Sequence, residues 1–272
     1  MTHPTGTPPE GDWLGTAYLR FERHGPFAHV VVDRPQARNA LTPSMYYGIR
    51  YAVEHVDREP DLAGLLITGT GDVFIPGGDF SGDMTDGWIG PAYMGMDGMP
   101  FPVLRRSRKP VVAAVNGIAQ GGGMIISMMS DIAVASDRAT FRAPELLRGI
   151  SDTSFAELLF RQVGPARARD LLLSGRRLSA QEALDWGVVS RVVPHEQVMD
   201  KATEALTEMV QASPRSRVDI KKALDAYYGR YDRMAMDESL GPDGEAREGF
   251  MAFFEKRSPS WVPAVLRTDG RL

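Results

Sequence analysis

Apolar positions along this chain of 272 residues fall into short runs separated by turn residues. "FAHVVVD" (27–33) is a continuous apolar run that reads as a strand, ended by the turn "DRPQARNA". Thr42 followed by Pro43 has the form of an N-cap with proline in the first helical position. Met45, Ile49, Ala52, Val53 and Val56 then recur at helical spacing. "GLLIT" (64–68) predicts a short buried strand, with "GTGDVF" as its turn. "VVAAV" (111–115) and "IAVA" (132–135) predict two more strands. "SAQE" (179–182) is a capping box, Gly187 stands where a helix stop belongs, and "VVSRVV" (188–193) returns as strand. Beyond it Val198, Ala202, Leu206, Met209 and Val210 share one helical face. Strands alternating with helices predict an α/β fold with crossover connections. The divisions are a lead-in over 1–15, a core over 16–196 and a helical region over 197–272.

Composition narrows the class. Hydrophobic residues make up 43% and charged residues 24%, the balance of a soluble globular protein. A net charge of −4 argues against nucleic acid as the main partner. Cysteine is absent, which excludes disulfides, thiolate metal sites and a cysteine nucleophile; it fits a reducing compartment, and the cytoplasm is the expected location. The polar, Pro/Gly-rich start "MTHPTGTPPEGD" reads as a disordered lead-in rather than a signal peptide. No apolar run approaches the ~20 residues that span a bilayer, so no membrane partner is expected. The segment 82–107 is rich in Met, Gly and aromatics without a clear period. It reads either as a loose helix on the core or as the adaptable wall of an apolar pocket.

Two glycine-bearing stretches carry candidate chemistry: "FIPGGDF" (74–80) and "NGIAQGGGM" (116–124). Each follows a strand-like segment and stands where a helix begins. Backbone N–H groups there lack intrahelical partners and carry the positive end of the helix dipole. Two of them converging would stabilise an enolate oxygen; the plainer reading is two turns. "GTG" (69–71) and "GGG" (121–123) lack the wider spacing of a dinucleotide fingerprint, and there is no P-loop lysine followed by Ser or Thr.

The succession "VDRPQARNALT", "LLITGTGDVFIPGGDF", "KPVVAAVNGIAQGGGM", "SDIAVASDRATFRAPE" and "LLLSGRRLSAQEALDWGVVSRVVP" resembles the crotonase (enoyl-CoA hydratase/isomerase) superfamily over roughly residues 17–257. The resemblance implies a spiral of repeated ββα units with C-terminal helices that form a homotrimer or a dimer of trimers. It implies an acyl-CoA thioester substrate, with coenzyme A entering only as part of that substrate and no metal. It places the oxyanion-hole amides at Gly78 and Gly122. Hydratases of the family use two glutamates. The second matches Glu145, but the first falls on Ile125, which cannot carry a proton. The following run, aligned from its closing Gly164, puts Asp152 where dienoyl-CoA isomerases keep a catalytic aspartate. Aryl-CoA dehalogenases keep a nucleophilic aspartate at the same offset, but they also need a histidine, and none falls beside these motifs.

Glu145 and Asp152 are therefore the expected proton carriers, desolvation and mutual repulsion separating their pKa values. The competing readings are a salt bridge from Glu145 to Arg142 or Arg148, and an N-cap role for Asp152. Glu157 is read as facing solvent or pairing with Arg161. Arg38 and Ala40 in "ARNAL", and Phe253 and Lys256 in "AFFEKR", match segments that the family places against coenzyme A. The expected activity is enolate chemistry on an acyl-CoA, double-bond isomerisation first. Asp152-dependent hydrolysis of a thioester or C–C bond, hydration with a single glutamate and non-catalytic acyl-CoA binding are the alternatives.

Overall fold

The computed structural model describes residues 13–79, 99–227, 240–241 and 245–261. The chain divides into two units, Met1–Arg142 with Arg177–Gly229, and Ala143–Arg176 with Arg230–Leu272. Most of the Met-rich segment 82–107 lies outside the described residues, as does most of the lead-in. Phe101–Arg106 within it forms a short helix, α2.

The first unit is built from strand pairs that send one member to each of two sheets. β3 (Gly64–Gly69), β5 (Val111–Val115) and β7 (Ile132–Ser136) lie side by side and parallel in a six-stranded sheet whose order is β1 (Leu19–His24), β2 (Phe27–Val32), β3, β5, β7 and β10 (Arg191–Val193). Their successors β4 (Val73–Ile75), β6 (Ile118–Gln120) and β8 (Thr140–Arg142) lie parallel in a second sheet, closed by antiparallel β9 (Arg177–Ser179). Parallel neighbours require a crossover. Each turn of the chain therefore lays one strand in each sheet and returns through a helix, as in β5–β6–α3, with α3 spanning Gly122–Met129. This is the repeated ββα spiral of the crotonase fold.

The local signals explain the elements. β2 (Phe27–Val32), β3 and β5 are buried at every position, as strands covered on both faces must be. Thr42 caps α1 (Pro43–Arg58), accepting from the Met45 amide. Ser179 and Glu182 form the reciprocal capping box of α6 (Ala180–Asp185), and Gly187 follows it at positive φ. On α7 (Val198–Val210), Val198, Ala202 and Leu206 are buried against Phe27, Leu66, Val112, Ala114 and Val134, with Met209 and Val210 at the margin. α8 (Pro214–Tyr227) is pinned by Lys221 Nζ to Asp131 at 2.8 Å, and by Asp225 to Arg105 and Arg106. Burial raises the Asp131 pKa, opposed by Lys221.

Two strand boundaries differ from expectation. The stretch "GTGDVF" is not only a turn, because Val73 and Phe74 open β4. Of "VVSRVV" only Arg191–Val193 is strand (β10); Val188 and Val189 are buried but tied by their amides to the Ala183 carbonyl at the end of α6.

The second unit holds a 3₁₀ turn (Leu146–Arg148), α4 (Thr153–Val163), α5 (Pro165–Ser174) and α9 (Ala246–Glu255). The turn packs on α9 with the Arg148 backbone against Gly249.

Candidate active site

In the first unit the two predicted glycine loops are neighbours because β4 and β6 are. Ile75 is in register with Ala119, and the loop after β4 stays beside β6, where a Cβ built on Gly77 would lie 3.5 Å from the Gln120 carbonyl oxygen. Leu41 fixes the first loop by a parallel bridge to Gly78. Its N–H donates to the Gly77 carbonyl at 2.9 Å, and its carbonyl accepts from Asp79 N–H at 2.8 Å. N–H groups alternate along extended backbone, so that of Gly78 turns away from Leu41. Gly122 is the first residue of α3, where an amide has no intrahelical acceptor. Among the described residues no backbone carbonyl accepts from Gly78 or Gly122. Gly123 lets the helix seat on β4, since a Cβ there would run into the Ile75 carbonyl.

A polar network holds the first loop from below. Arg34 Nη1 donates to Asp79 Oδ2 at 2.6 Å and to the Ala40 carbonyl at 3.0 Å, and its guanidinium lies 5.2 Å from the centre of the Tyr18 ring. Asn39 is buried, accepts from the Arg34 N–H and donates to the carbonyls of Thr70 and Val73 at 3.0 and 2.8 Å. Asn116 ties the next strand to the same turn through the Gly69 and Gly71 carbonyls. Sequence reading passed over Arg34, Asn39 and Asp79. The available signal was a buried-strand exit carrying Arg and Asn, together with an acid directly after a glycine pair. Arg38 is exposed at φ 51 on this segment, and Ala40 closes the preceding turn by donating to Ala37.

Ile125 lies on α3 and is 2% exposed, so its position offers an apolar surface and no proton.

In the second unit both predicted carboxylates are buried, Glu145 at 9% exposure and Asp152 at 8%. Glu145 precedes the 3₁₀ turn, and its carbonyl accepts from the amides of Arg148 and Ile150. Burial lowers the pKa of the Arg148 guanidinium, and the charge of Glu145 opposes that shift. Asp152 caps α4, its Oδ1 accepting from Phe155 N–H at 2.9 Å. The cap holds the carboxyl group in one orientation. Glu157 is exposed on α4. Phe253 is half exposed on α9 with the Arg148 guanidinium 4.8 Å from its ring centre; Lys256 follows the helix at φ 54. Among the described residues no group of three or more metal-ligating side chains occurs, and no helix is long and apolar enough to cross a membrane.

A family model for enoyl-CoA hydratase/isomerase matches residues 22–263. The chain belongs to the enoyl-CoA hydratase/isomerase family. Its relatives include a carnitinyl-CoA dehydratase from Citrobacter koseri, 34% identical over 259 residues, covering 89% of this chain and 97% of that one. A mevalonyl-coenzyme A hydratase from Aspergillus fumigatus is 32% identical over 263 residues, covering 89% and 94%. Among solved structures, an enoyl-CoA hydratase/isomerase from Pseudoalteromonas atlantica superimposes with a TM-score of 0.77 at 28% identity, covering 90% of this chain and 99% of that one. As an enoyl-CoA hydratase/isomerase family enzyme, this protein acts on an acyl-CoA thioester.

Proposed function

We propose that the enzyme binds an acyl-CoA thioester, holds its carbonyl oxygen on the amides of Gly78 and Gly122, and moves a carbon–carbon double bond through the enolate. One carboxylate, Asp152 or Glu145, takes a proton from the carbon beside the thioester carbonyl. The electron pair runs into the carbonyl, and the developing oxyanion is stabilised by the two amides. The other carboxyl group returns a proton two carbons further along. The double bond has moved, and no solvent oxygen is retained.

The observation that favours isomerisation over hydration is Ile125, buried in α3 where the hydratases keep their first glutamate. One general acid–base group typically contributes ~100-fold or more, so its loss weighs against a reaction that needs two such groups around one water. A second reading has an observation of its own. The relatives include a hydratase and a dehydratase, and Glu145 is present, so addition or removal of water with a single glutamate is the rival. Hydrolysis through Asp152 is the third.

Incubation with 2-enoyl- and 3-enoyl-CoA thioesters in heavy-oxygen water, followed by mass spectrometry, separates these readings. Isomerisation gives a shifted alkene without the label, hydration a labelled alcohol, and hydrolysis a labelled carboxylate. Labelled alcohol as the main product would overturn the isomerase reading. The family reading extends to assembly as a homotrimer or a dimer of trimers, which sedimentation velocity would measure.

A further inference from the structure

Tyr46 plays no part in the mechanism above, yet its position bears on it. It lies in the first turn of α1, five residues beyond the Leu41 that fixes Gly78. The side chain is 6% exposed, and its ring stands edge-on to Phe101 with centroids 6.1 Å apart. Its hydroxyl end meets Gly122. A Cβ built on that glycine would lie 3.1 Å from the Tyr46 Cζ and nearer still to the hydroxyl oxygen. In an α-helix the Cα–Cβ direction tilts toward the N-terminus, the side to which the first amides also point. The Tyr46 hydroxyl therefore stands against Gly122 at the N-terminal end of α3, where those amides are. This gives position 122 a reason to be glycine beyond backbone freedom, because any side chain would displace the phenol.

We propose that the Tyr46 hydroxyl is a third hydrogen-bond donor to the thioester oxygen, beside the amides of Gly78 and Gly122. The inference rests on the oxyanion reading of those two amides. The phenol keeps its proton; it donates a hydrogen bond that strengthens as negative charge builds on the oxygen. Its ring is held by Phe101 and its backbone by the Thr42 cap, so the donor is oriented before substrate arrives. With Ile125 supplying only apolar surface on α3, the hydroxyl brings a polar group that the Ile125 position lacks.

The test uses Tyr46→Phe, which deletes the hydroxyl and keeps the ring, together with but-2-enoyl-CoA carrying carbon-13 at the thioester carbonyl. The infrared carbonyl stretch of the bound thioester is read in wild type and variant alongside steady-state kinetics. In the wild type the stretch moves to lower frequency on binding. In the variant that shift shrinks, kcat falls on the order of 10–100-fold, the range for one lost oxyanion donor and below, and KM stays within about threefold. Tyr47→Phe, one residue along and buried elsewhere on α1, leaves the shift in place. Ring-fluorinated tyrosine at position 46, a stronger donor of nearly the same shape, enlarges the shift; this variant also serves if Tyr46→Phe folds poorly. A full wild-type shift retained by Tyr46→Phe, or no response to fluorination, overturns the proposal and leaves the two amides standing. A wild-type thioester bound with no shift overturns the two-amide reading, and this one with it.

Discussion

Substituting Asp152 in two ways separates two roles that coincide in one side chain. Asp152 caps α4, and the proposed mechanism makes it a proton carrier. Asparagine keeps an oxygen for the Phe155 N–H and ranks with aspartate as an N-cap, so Asp152→Asn preserves the bond. What it loses structurally is a negative charge at a helix N-terminus, about 0.3–1 kcal/mol. Alanine removes the cap as well, about 1 kcal/mol more. In a chain of this size 1 kcal/mol moves the melting temperature by roughly 2–4 °C. The structural account alone therefore predicts Tm losses of about 1–3 °C for Asp152→Asn and about 3–7 °C for Asp152→Ala, with turnover near wild type in both once the protein is folded. A lost general acid or base instead costs about 10²–10⁴ in kcat, or roughly 3–5 kcal/mol of barrier. The expected result is that both variants lose at least 100-fold in kcat on the thioester the wild type turns over, while their melting temperatures differ. Differential scanning calorimetry and single-turnover kinetics measure the two axes independently. If Asp152→Asn keeps more than about a third of wild-type turnover, Asp152 is a cap and the proton carrier lies elsewhere.

Three further outcomes follow from the packing. Arg34→Ala removes the partly buried ion pair with Asp79 and costs on the order of 3 kcal/mol in urea unfolding. It also loosens the Gly78 loop, so kcat falls more than KM rises, and Arg34→Lys restores part of the loss. His29 is buried beside His24, and desolvation with that neighbour's charge lowers its pKa to about 4. As pH falls below the ordinary histidine value near 6.5, the unfolded chain takes up a proton that the folded chain refuses. Stability thus declines by about 3 kcal/mol between pH 6.5 and 4, and His29→Leu flattens that part of the urea-midpoint profile. Leu206→Ala, on the buried face of α7, leaves a cavity in the cluster it shares with Leu66 and Val112 and costs about 2–5 kcal/mol with little effect on turnover of the folded enzyme.

What was legible in the sequence follows from element length and from how far apart the partners are. The buried strands β2, β3 and β5 announce themselves because both faces are covered and the apolar run is unbroken. α7 does so because its buried face repeats over three turns. β6, β8 and β9 are three residues each, too short to show a period of two. β1 (Leu19–His24) is an edge strand whose Arg20, Glu22 and Arg23 hide it among the surface residues. Asp152 could be read as a cap from the residues alone, whereas roles for Gly78 and Gly122 came only through the family resemblance. That the two glycine loops are neighbours depends on the pairing of β4 with β6, which no local pattern encodes.

The part of the site least visible in the sequence is the segment 34–46. Arg34 reaches Asp79, Asn39 reaches Thr70 and Val73, Leu41 bridges Gly78 and Tyr46 meets Gly122. Each partner lies at least 31 residues away in the chain, so pairwise pattern reading could not connect them. Together they make one turn and one helix start the common support of both glycine loops. Loosening this segment at Arg34 should shift the Gly78 amide, whereas removing the Tyr46 hydroxyl should leave both amides in place. The carbonyl stretch of a bound thioester in Arg34→Lys, Tyr46→Phe and the double variant tests that distinction. Independent donors give additive losses of shift, and a single coupled support gives a double variant no worse than the more damaging single one.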